Sequence, residues 1–352
     1  MFDPAQIKSL AVYNHPETFY GLCVDHAAGK VYAGSSDYGI HVFDLAAEKK
    51  EPVARWPGHD NYVSALVFVD RPAGKWVISG GYDRRLIWWN AESGEIVRQV
   101  EAHAGWIRDI KLVPGTGLLA TVGDDMLVKL WDVETGAAVR TLEGHAQRTP
   151  QGFVTALYVV APSTDGQFLA TGDRIGEVRV WETFTGTLAQ SFQVPLLYTY
   201  DPVQRKRSIG GIRAVAFSPD GTRVAAGGIN QINNVDGLQA PLHVELWDWR
   251  QPNRLAAFSA EGHQAIINDL AFHPSEPWLA GAGGGSNNGV LACWKVDALP
   301  DPPPEADREK PWPTTNGPKQ VLEGHIHRLA FDADWTSIYA AGYRKLEVFG
   351  MG

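Results

Sequence analysis

The stretch of sequence that decides the fold is residues 127–145, LVKLWDVETGAAVRTLEGH. The segment LVKLW mixes apolar and polar residues and ends in an aromatic side chain, and AAVRTL follows the turn-forming ETG as a second such segment. Alternation with a period of two is typical of a β-strand that has one buried face. The stretch therefore predicts two strands joined by a tight turn and followed by a Gly-His pair.

Related segments recur along the whole chain with a basic period of roughly 40 to 50 residues, lengthened by insertions in some repeats, and such a period marks a repeat architecture. Each of seven strand-like segments ends in an aromatic anchor: Phe43, Trp89, Trp131, Trp181, Trp247, Trp294 and Phe349. In the third repeat the turn signals PGTG, DDM and ETG separate four strand-like segments. Four strands per repeat is typical of a propeller blade. The sequence predicts an all-β fold with seven four-stranded antiparallel blades in a single domain over residues 1–352.

The repeats resemble those of the WD40-repeat family, whose units pair a Gly-His dipeptide with a Trp-Asp dipeptide. Trp-Asp is literal at Trp131-Asp132 and Trp247-Asp248. Gly-His stands at Gly58-His59, Gly144-His145, Gly262-His263 and Gly324-His325. The resemblance covers nearly the whole chain and implies a seven-bladed β-propeller. It also implies closure by the N-terminal strand, with IKSLAVY (residues 7–13) completing the last blade.

The resemblance further implies buried hydrogen-bonded chains that stabilise individual blades. Two repeats match the family's pattern of His, Ser or Thr, Asp and Trp: His59, Ser79, Asp83 and Trp89, and His103, Thr121, Asp125 and Trp131. A Ser, a His and an Asp together also suggest a hydrolase triad. The arrangement recurs from blade to blade, however, which a single active site would not do, so we predict a structural role and no catalytic residues.

The charge of the protein limits the classes of molecule that it can bind. The net charge of −9 and the pI near 5.7 oppose binding to nucleic acid or to an anionic membrane surface. The basic run QRKRS (residues 204–208) is the one feature that favours nucleic acid, and a solvated loop explains it as well. No targeting segment or membrane span is apparent. We expect a cytoplasmic protein that is monomeric on its own.

The sequence contains other possible ligand-binding motifs, but their neighbouring residues do not support a binding site. GAGGGSNNG (residues 281–289) resembles a phosphate-binding loop but leads into a strand and not into a helix. His325 and His327 offer two metal ligands, but the Gly-His motif already accounts for His325. Cys23 and Cys293 lie in strand-like runs and are expected to be buried, reduced thiols. We therefore predict no cofactor and no metal.

Aromatic residues mark the candidate partner-binding site. In the family, the residue just before the first strand of a blade points upward beside the channel mouth, and here Phe19, Tyr62, Trp106 and Phe153 are assigned to that position, with Tyr82 close by. Such rings anchor many interfaces, although an exposed ring that only covers a neighbouring strand is the alternative. Arg205, Lys206 and Arg207, in the insertion at residues 194–211, would favour an acidic segment of a partner.

These features predict a non-catalytic scaffold that binds another protein or a peptide through the top face of a propeller. The alternative is an enzyme, or a protein that binds a small ligand or a metal, that uses the central channel. A Pro-rich insertion at residues 298–319 is expected on the bottom face in extended polyproline conformation, and its role is open.

Overall fold

The computed structural model describes residues 2–203, 207–232, 240–260, 262–285, 288–299, 314–317 and 319–351. These residues form β-strands, turns and two short 3-10 helices, Pro4–Gln6 and Pro195–Leu197. In the part of the chain that is described, no helix is long and apolar enough to cross a membrane. Cys23 and Cys293 are buried and free, as the sequence predicts. Burial raises the pKa of the Cys293 thiol to about 12.

The first thirteen strands follow the repeats of the sequence. They are β1 (Ile7–Asn14), β2 (Phe19–Asp25), β3 (Lys30–Ser35), β4 (Gly39–Asp44), β5 (Ala54–Pro57), β6 (Val63–Arg71), β7 (Gly74–Gly81), β8 (Arg85–Asn90), β9 (Ile96–Glu101), β10 (Ile107–Leu112), β11 (Leu118–Gly123), β12 (Val128–Asp132) and β13 (Ala138–Leu142). Each of these repeats alternates strands with short turns.

The remaining strands include two elements that interrupt the repeat. They are β14 (Leu157–Pro162), β15 (Phe168–Asp173), β16 (Glu177–Glu182), β17 (Leu188–Gln193), β18 (Tyr198–Asp201), β19 (Arg207–Gly210), β20 (Ile212–Phe217), β21 (Arg223–Gly228), β22 (Val244–Asp248), β23 (Asn253–Ser259), β24 (Ile266–Phe272), β25 (Trp278–Gly284), β26 (Asn288–Lys295), β27 (Thr314–Asn316), β28 (Lys319–Glu323), β29 (Ile326–Phe331), β30 (Ser337–Gly342) and β31 (Lys345–Met351). The interruptions are the hairpin β18–β19 and the short strand β27.

Apart from the hairpin β18–β19, which is a separate two-stranded sheet, the described strands form seven sheets that are the blades of a β-propeller, as the sequence predicts. Six sheets have four strands, in the orders β2-β3-β4-β5, β6-β7-β8-β9, β10-β11-β12-β13, β14-β15-β16-β17, β24-β25-β26-β28 and β1-β31-β30-β29. The fifth blade, β20-β21-β22-β23, gains β27 as an extra strand that runs parallel to β23. The Pro-rich insertion thus contributes β27 to the fifth blade, and most of its other residues lie outside the described ranges.

The chain divides into two compact units. Unit A comprises Gln6–Gln147, Ala156–Val160 and Ile326–Gly352, and unit B comprises Met1–Ala5, Arg148–Thr155 and Ala161–His325. Unit A contains the first, second, third and seventh blades, and unit B contains the fifth and sixth. The assignment of residues 1–352 to a single domain stays a prediction.

The N-terminal strand completes the seventh blade within unit A. Strand β1 pairs antiparallel with β31, from Ile7 opposite Met351 to Asn14 opposite Lys345. Tyr13 is 1% exposed, and its ring meets that of Phe43 edge-on at 5.3 Å. The strand therefore covers a sheet edge with its backbone and fills a core with its side chain.

Apolar side chains between neighbouring blades form the cores of each unit. In unit A, Val31 and Phe43 of the first blade pack with Leu346 of the seventh. In unit B, Val244 and Phe258 of the fifth blade pack with Trp294 of the sixth. Both faces of an inner strand are buried in this packing: in β3, Val31 and Ala33 lie in the core shared with the seventh blade, and Tyr32 lies in the core shared with the second.

Candidate functional site

Four aromatic rings of unit A lie in a continuous row. Tyr20 stacks on Tyr62 with 5.5 Å between centroids, Tyr62 contacts Tyr82 at 5.7 Å, and Tyr82 stacks on Trp106 at 4.4 Å. We call Tyr20, Tyr62, Tyr82 and Trp106 the aromatic row. Tyr62 is 36% exposed and Trp106 is 44% exposed. The row is therefore an ordered aromatic surface that a partner can reach.

Two further rings border the row. Tyr38 lies 6.0 Å from Tyr62, and His327 lies 4.7 Å from Tyr20. Tyr38 has a φ of +72°, in the left-handed region that a non-glycine residue rarely adopts outside tight turns. The turn between β3 and β4 thus directs this exposed side chain towards Tyr62.

Backbone hydrogen bonds place Tyr62 and Trp106 at the same position of their blades. The N–H of Tyr82 donates to the carbonyl of Tyr62 at 2.9 Å, and the N–H of Asp124 donates to the carbonyl of Trp106 at 3.0 Å. Each bond ties the turn after the second strand to the residue that precedes the first. Tyr62 and Trp106 therefore each directly precede a first strand, and Tyr82 lies between them, while their role in partner binding stays a prediction.

The prediction for Phe19 is wrong. Its side chain is fully buried, with the Phe43 ring at 5.8 Å and the His15 ring at 5.0 Å. The equivalent backbone bond runs from Ser36 N–H to the carbonyl of Thr18, so Thr18 precedes the strand and Phe19 is its first core residue. The sequence prediction placed the start of the strand one residue too late. In a strand, an error of one residue exchanges the buried and the exposed face.

Tyr20 enters the row through a β-bulge. The pairing of β2 with β3 passes from Phe19 to Gly21 and leaves Tyr20 as the extra residue. The first strands of the second, third and seventh blades have the same irregularity, with Ser64, Arg108 and His327 as the extra residues. A bulge redirects one side chain without shifting the rest of the strand. It therefore brings Tyr20, Arg108 and His327 to the row.

Arg108 fixes the orientation of two rings of the row. Its guanidinium lies 4.9 Å from the ring centroids of both Tyr82 and Trp106, and Nη1 donates to the Tyr82 hydroxyl at 2.8 Å. Nε and Nη2 donate to the two carboxylate oxygens of Asp124, both at 2.7 Å. Burial alone would lower the pKa of Arg108, but Asp124 and the nearby tyrosines raise it above its usual value. The cation is permanent, so the stacked pair is held rigidly.

The prediction for Phe153 is only partly met. Its ring is 37% exposed and lies 6.1 Å from Tyr200. It does not directly precede a first strand, because β14 begins at Leu157 and the residue before it, Ala156, is buried. Residues 149–153 instead form a turn of their own, in which Thr149 N–H donates to the carbonyl of Phe153 at 2.8 Å. A role for Phe153 in partner binding stays a prediction.

Only one residue of the predicted basic cluster, Arg207, lies within the described residues. Arg205 and Lys206 lie outside the described residues, and Arg207 begins β19, opposite Asp201 of β18. The insertion at residues 194–211 therefore contains a hairpin and the 3-10 helix Pro195–Leu197. The attraction of an acidic segment by the three basic residues stays a prediction.

The second blade contains a continuous buried hydrogen-bond chain. Trp89 Nε1 donates to Ser79 Oγ at 2.8 Å, and Ser79 Oγ lies 2.7 Å from His59 Nε2. His59 Nδ1 lies 2.8 Å from a carboxylate oxygen of Asp83. A neutral His59 with its proton on Nδ1 satisfies every member, because Ser79 then donates to Nε2 and Nδ1 donates to Asp83.

The third blade repeats this chain with a threonine. Trp131 Nε1 donates to Thr121 Oγ1 at 2.9 Å, Oγ1 lies 2.7 Å from His103 Nε2, and His103 Nδ1 lies 2.9 Å from Asp125. Ser79 and Thr121 are fully buried. A hydroxyl that accepts from an indole and is closed to solvent has no path to a substrate. The arrangement can stabilise a blade, but it cannot act as a nucleophile as it stands.

The fifth blade replaces the chain with an ion-paired glutamate that sequence reasoning missed. Glu245 is fully buried, accepts a hydrogen bond from Trp247 Nε1 at 3.1 Å and lies 2.9 Å from Arg254 and 3.0 Å from His243. Burial alone raises the pKa of Glu245, but hydrogen bonds and charge from His243 and Arg254 lower it overall. The sequence contained a sign of this arrangement. His243, Glu245 and Trp247 are alternate residues, so the two polar side chains lie on the same face of the strand as the anchor tryptophan.

His325 and His327 face different neighbours. His325 Nε2 lies 2.6 Å from the side-chain amide nitrogen of Asn268, which fits an unprotonated Nε2 that accepts. Burial lowers the pKa of His325 to about 4. His327 instead packs on Tyr20.

We expect His325 to make the protein acid-sensitive. The folded-state pKa lies below the unfolded value of 6.5, so between these values the unfolded chain binds more protons and stability falls as pH falls. The loss from this group is about 1–2 kcal/mol between pH 7 and pH 5. Urea unfolding of His325→Gln at both pH values should show a smaller loss than the parent, whereas His26→Gln, at an exposed site, should match the parent. An unchanged loss in His325→Gln would contradict the assignment.

The segments that match a known protein family correspond to the repeats that form the blades. The family model described as "WD domain, G-beta repeat" matches residues 50–90, 94–132, 136–182, 204–232 and 255–295, more than half of the chain. The chain is 27% identical over 278 residues to "Nuclear distribution protein PAC1" of Arthroderma otae, covering 72% of this chain and 55% of that protein. It is 28% identical over 193 residues to "Eukaryotic translation initiation factor 3 subunit I" of Bos taurus, covering 54% of this chain and 56% of that protein. The chain thus spans about half the length of the relatives it matches.

Proposed function

Since the chain belongs to the WD40-repeat family, we propose that it is a non-catalytic scaffold that binds another protein, or a peptide segment of one, through the aromatic row of unit A. We further propose that it does so in the cytoplasm and binds neither nucleic acid nor membrane, in keeping with its net charge of −9. One of its relatives is by name a subunit of a larger factor, which supports an assembly role.

The observation that carries the proposal is that the row is exposed and rigid at the same time. Trp106 presents 44% of its surface although it is stacked on Tyr82 and lies over Arg108. Tryptophan, tyrosine and arginine are the residues that contribute most to binding energy at protein interfaces. Rings that are already held in place lose little conformational entropy when a partner binds, which favours affinity.

The buried chains support a role without catalysis. Their serine and threonine hydroxyls are enclosed, and the aspartates that would orient a catalytic histidine accept backbone hydrogen bonds as well, at Asp60 in the second blade and Ala104 in the third. Such bonds hold the turn of a blade. The relatives in the comparison are named for nuclear distribution and translation initiation and not for a reaction.

We expect Trp106→Ala and Tyr62→Ala each to weaken partner binding by tenfold or more, about 1.4 kcal/mol, because each removes an aromatic anchor. The measurement is capture of the partner from an extract of the source organism, followed by calorimetric titration of the purified pair. Melting temperature should change little, since both rings are more than a third exposed.

Tyr343→Ala is the matched control, because Tyr343 is a 53% exposed tyrosine of the same unit that lies outside the aromatic row. It should leave capture unchanged. A partner whose capture survives both row variants, but is lost when residues 298–319 are removed, would place the binding site elsewhere and refute the proposal.

A further inference from the structure

The aromatic row presents hydrogen-bond donors beside its apolar rings. Arg108 donates to the Tyr82 hydroxyl, and a guanidinium has no acceptor, so the Tyr82 proton is left to donate to an outside group. Among the described residues, none accepts a hydrogen bond from the Trp106 indole, which is a donor only. A ligand that follows the row therefore meets donors, and it must supply acceptors.

The row offers a ligand little charge. The cation beneath it, Arg108, and the carboxylate of Asp124 are joined by two hydrogen bonds of 2.7 Å and neutralise each other. Burial, together with the neighbouring Tyr82 and Tyr62, raises the pKa of Tyr20, which keeps that phenol neutral and able to donate. These properties suit an uncharged ligand with apolar groups and carbonyl oxygens.

The two stacked pairs of rings meet at an angle. Tyr20 and Tyr62 are nearly parallel, with 17° between their planes, and Tyr82 and Trp106 are parallel within 5°. Between these two stacked pairs, the planes of Tyr62 and Tyr82 diverge by 38° at a centroid distance of 5.7 Å. Ring faces inside a stacked pair are occupied, so a small apolar ring of a ligand packs on the exposed surface of the row where the two pairs meet.

We infer that the aromatic row binds a proline-rich segment of the partner protein in polyproline II conformation, with a proline packed on the exposed surface where Tyr62 and Tyr82 meet. A polyproline II helix has no internal hydrogen bonds, so its carbonyls accept from the Tyr82 hydroxyl and the Trp106 indole. One turn advances about 9 Å, comparable with the two steps from Tyr62 to Trp106 of 5.7 Å and 4.4 Å. This inference rests on the proposed function and names the chemistry of the partner.

The probe for this inference is fluorescein-labelled decaproline, which is uncharged apart from its label and adopts the polyproline II conformation. Its binding to the full chain is followed by fluorescence anisotropy, with a labelled ten-residue Gly-Ser peptide as the control. We expect saturable binding of decaproline at least about tenfold tighter than that of the Gly-Ser peptide, because only decaproline has apolar rings and a preformed conformation. Raising the salt concentration should have little effect.

Variants of single rings separate stacking from hydrogen bonding. Trp106→Ala and Tyr62→Ala should each weaken decaproline binding about tenfold. Trp106→Phe keeps an aromatic ring but removes the indole N–H, and it should weaken binding about threefold, as expected for one hydrogen bond. Tyr343→Ala should bind decaproline as the parent does. Circular dichroism of each variant checks that the fold is retained.

Three outcomes would overturn the inference. The first is decaproline binding no tighter than the Gly-Ser peptide, or equally tightly to the row variants. The second is salt-sensitive binding of a decaglutamate peptide in place of decaproline, which would assign the row to acidic segments. The third is a large gain in decaproline affinity on deletion of residues 300–313, which would assign the row to this chain's own proline-rich segment.

Competition distinguishes this inference from the proposed function. Decaproline should displace the captured partner from the parent protein. If capture depends on Trp106 and Tyr62 but decaproline does not compete, the scaffold function stands and the polyproline inference fails. If capture is independent of both residues, the proposed function itself fails.

Discussion

Removal of residues 1–13 should lower the free energy of unfolding by about 4 kcal/mol or more and cause aggregation. The deletion takes away the buried side chains of Ile7 and Tyr13, each worth about 1.5–3 kcal/mol. It also exposes the N–H and C=O groups of β31 that β1 now pairs. An unpaired, largely apolar edge strand is a template for association with other chains. The measurements are urea unfolding and size-exclusion chromatography with light scattering.

Two point variants separate the effects of the core and the edge. Tyr13→Ala should destabilise by about 3–5 kcal/mol but leave the protein monomeric, because β1 still covers the edge. Lys8→Ala, at an exposed position of the same strand, should behave as the parent does. A truncated protein that remains monomeric with the parent's stability would contradict the assigned role of β1.

Asp83→Ala should destabilise the protein by about 3 kcal/mol, because it breaks a buried pair and leaves several donors without an acceptor. Asp83 accepts hydrogen bonds from His59, from the backbone N–H of Asp60 and from the Arg85 guanidinium. Burial alone would raise the pKa of Asp83, but these bonds lower it far below its usual value, so the carboxylate is charged at neutral pH. The measurement is the urea unfolding free energy at pH 7.

Asp60→Ala is the matched control for this variant. Asp60 binds the same Arg85 Nη2 at 2.7 Å, but its side chain is 84% exposed, so its loss should cost less than about 0.5 kcal/mol. Asp125→Ala should resemble Asp83→Ala, because Asp125 accepts from His103 and from the backbone of the third blade. Full stability in both Asp→Ala variants, combined with loss of a hydrolytic activity, would mean that these residues are catalytic and not structural.

The strands, the blade order and the two hydrogen-bond chains could be predicted because each depends on residues that are close in sequence or at fixed positions of a repeat. His59, Ser79, Asp83 and Trp89 lie within one blade. The β1–β31 pairing could be predicted because the resemblance to the WD40-repeat family implies closure by the N-terminal strand. Such features require only periodicity and a repeating motif.

The candidate site was harder to predict, because it depends on where strand pairing becomes irregular. Nothing in the letters TFYGL shows that Tyr20, and not Phe19, is the exposed aromatic; the bulge decides it. Arg108 was missed for the same reason, since in a regular strand it would not reach both Tyr82 and Trp106. Tyr38 was missed because its direction depends on a left-handed turn residue that carries no glycine signature.

The bulge shared by the first strands also suggests how this protein could be engineered. Tyr20 and His327 stand outside the register of their strands and are partly exposed, so exchanging their side chains leaves the cross-strand pairing of the blade unchanged. Randomising these two codons together would give a small combinatorial library displayed on a constant framework, from which binders to new targets can be selected. The framework residues of the buried hydrogen-bond chains would be left intact in every clone.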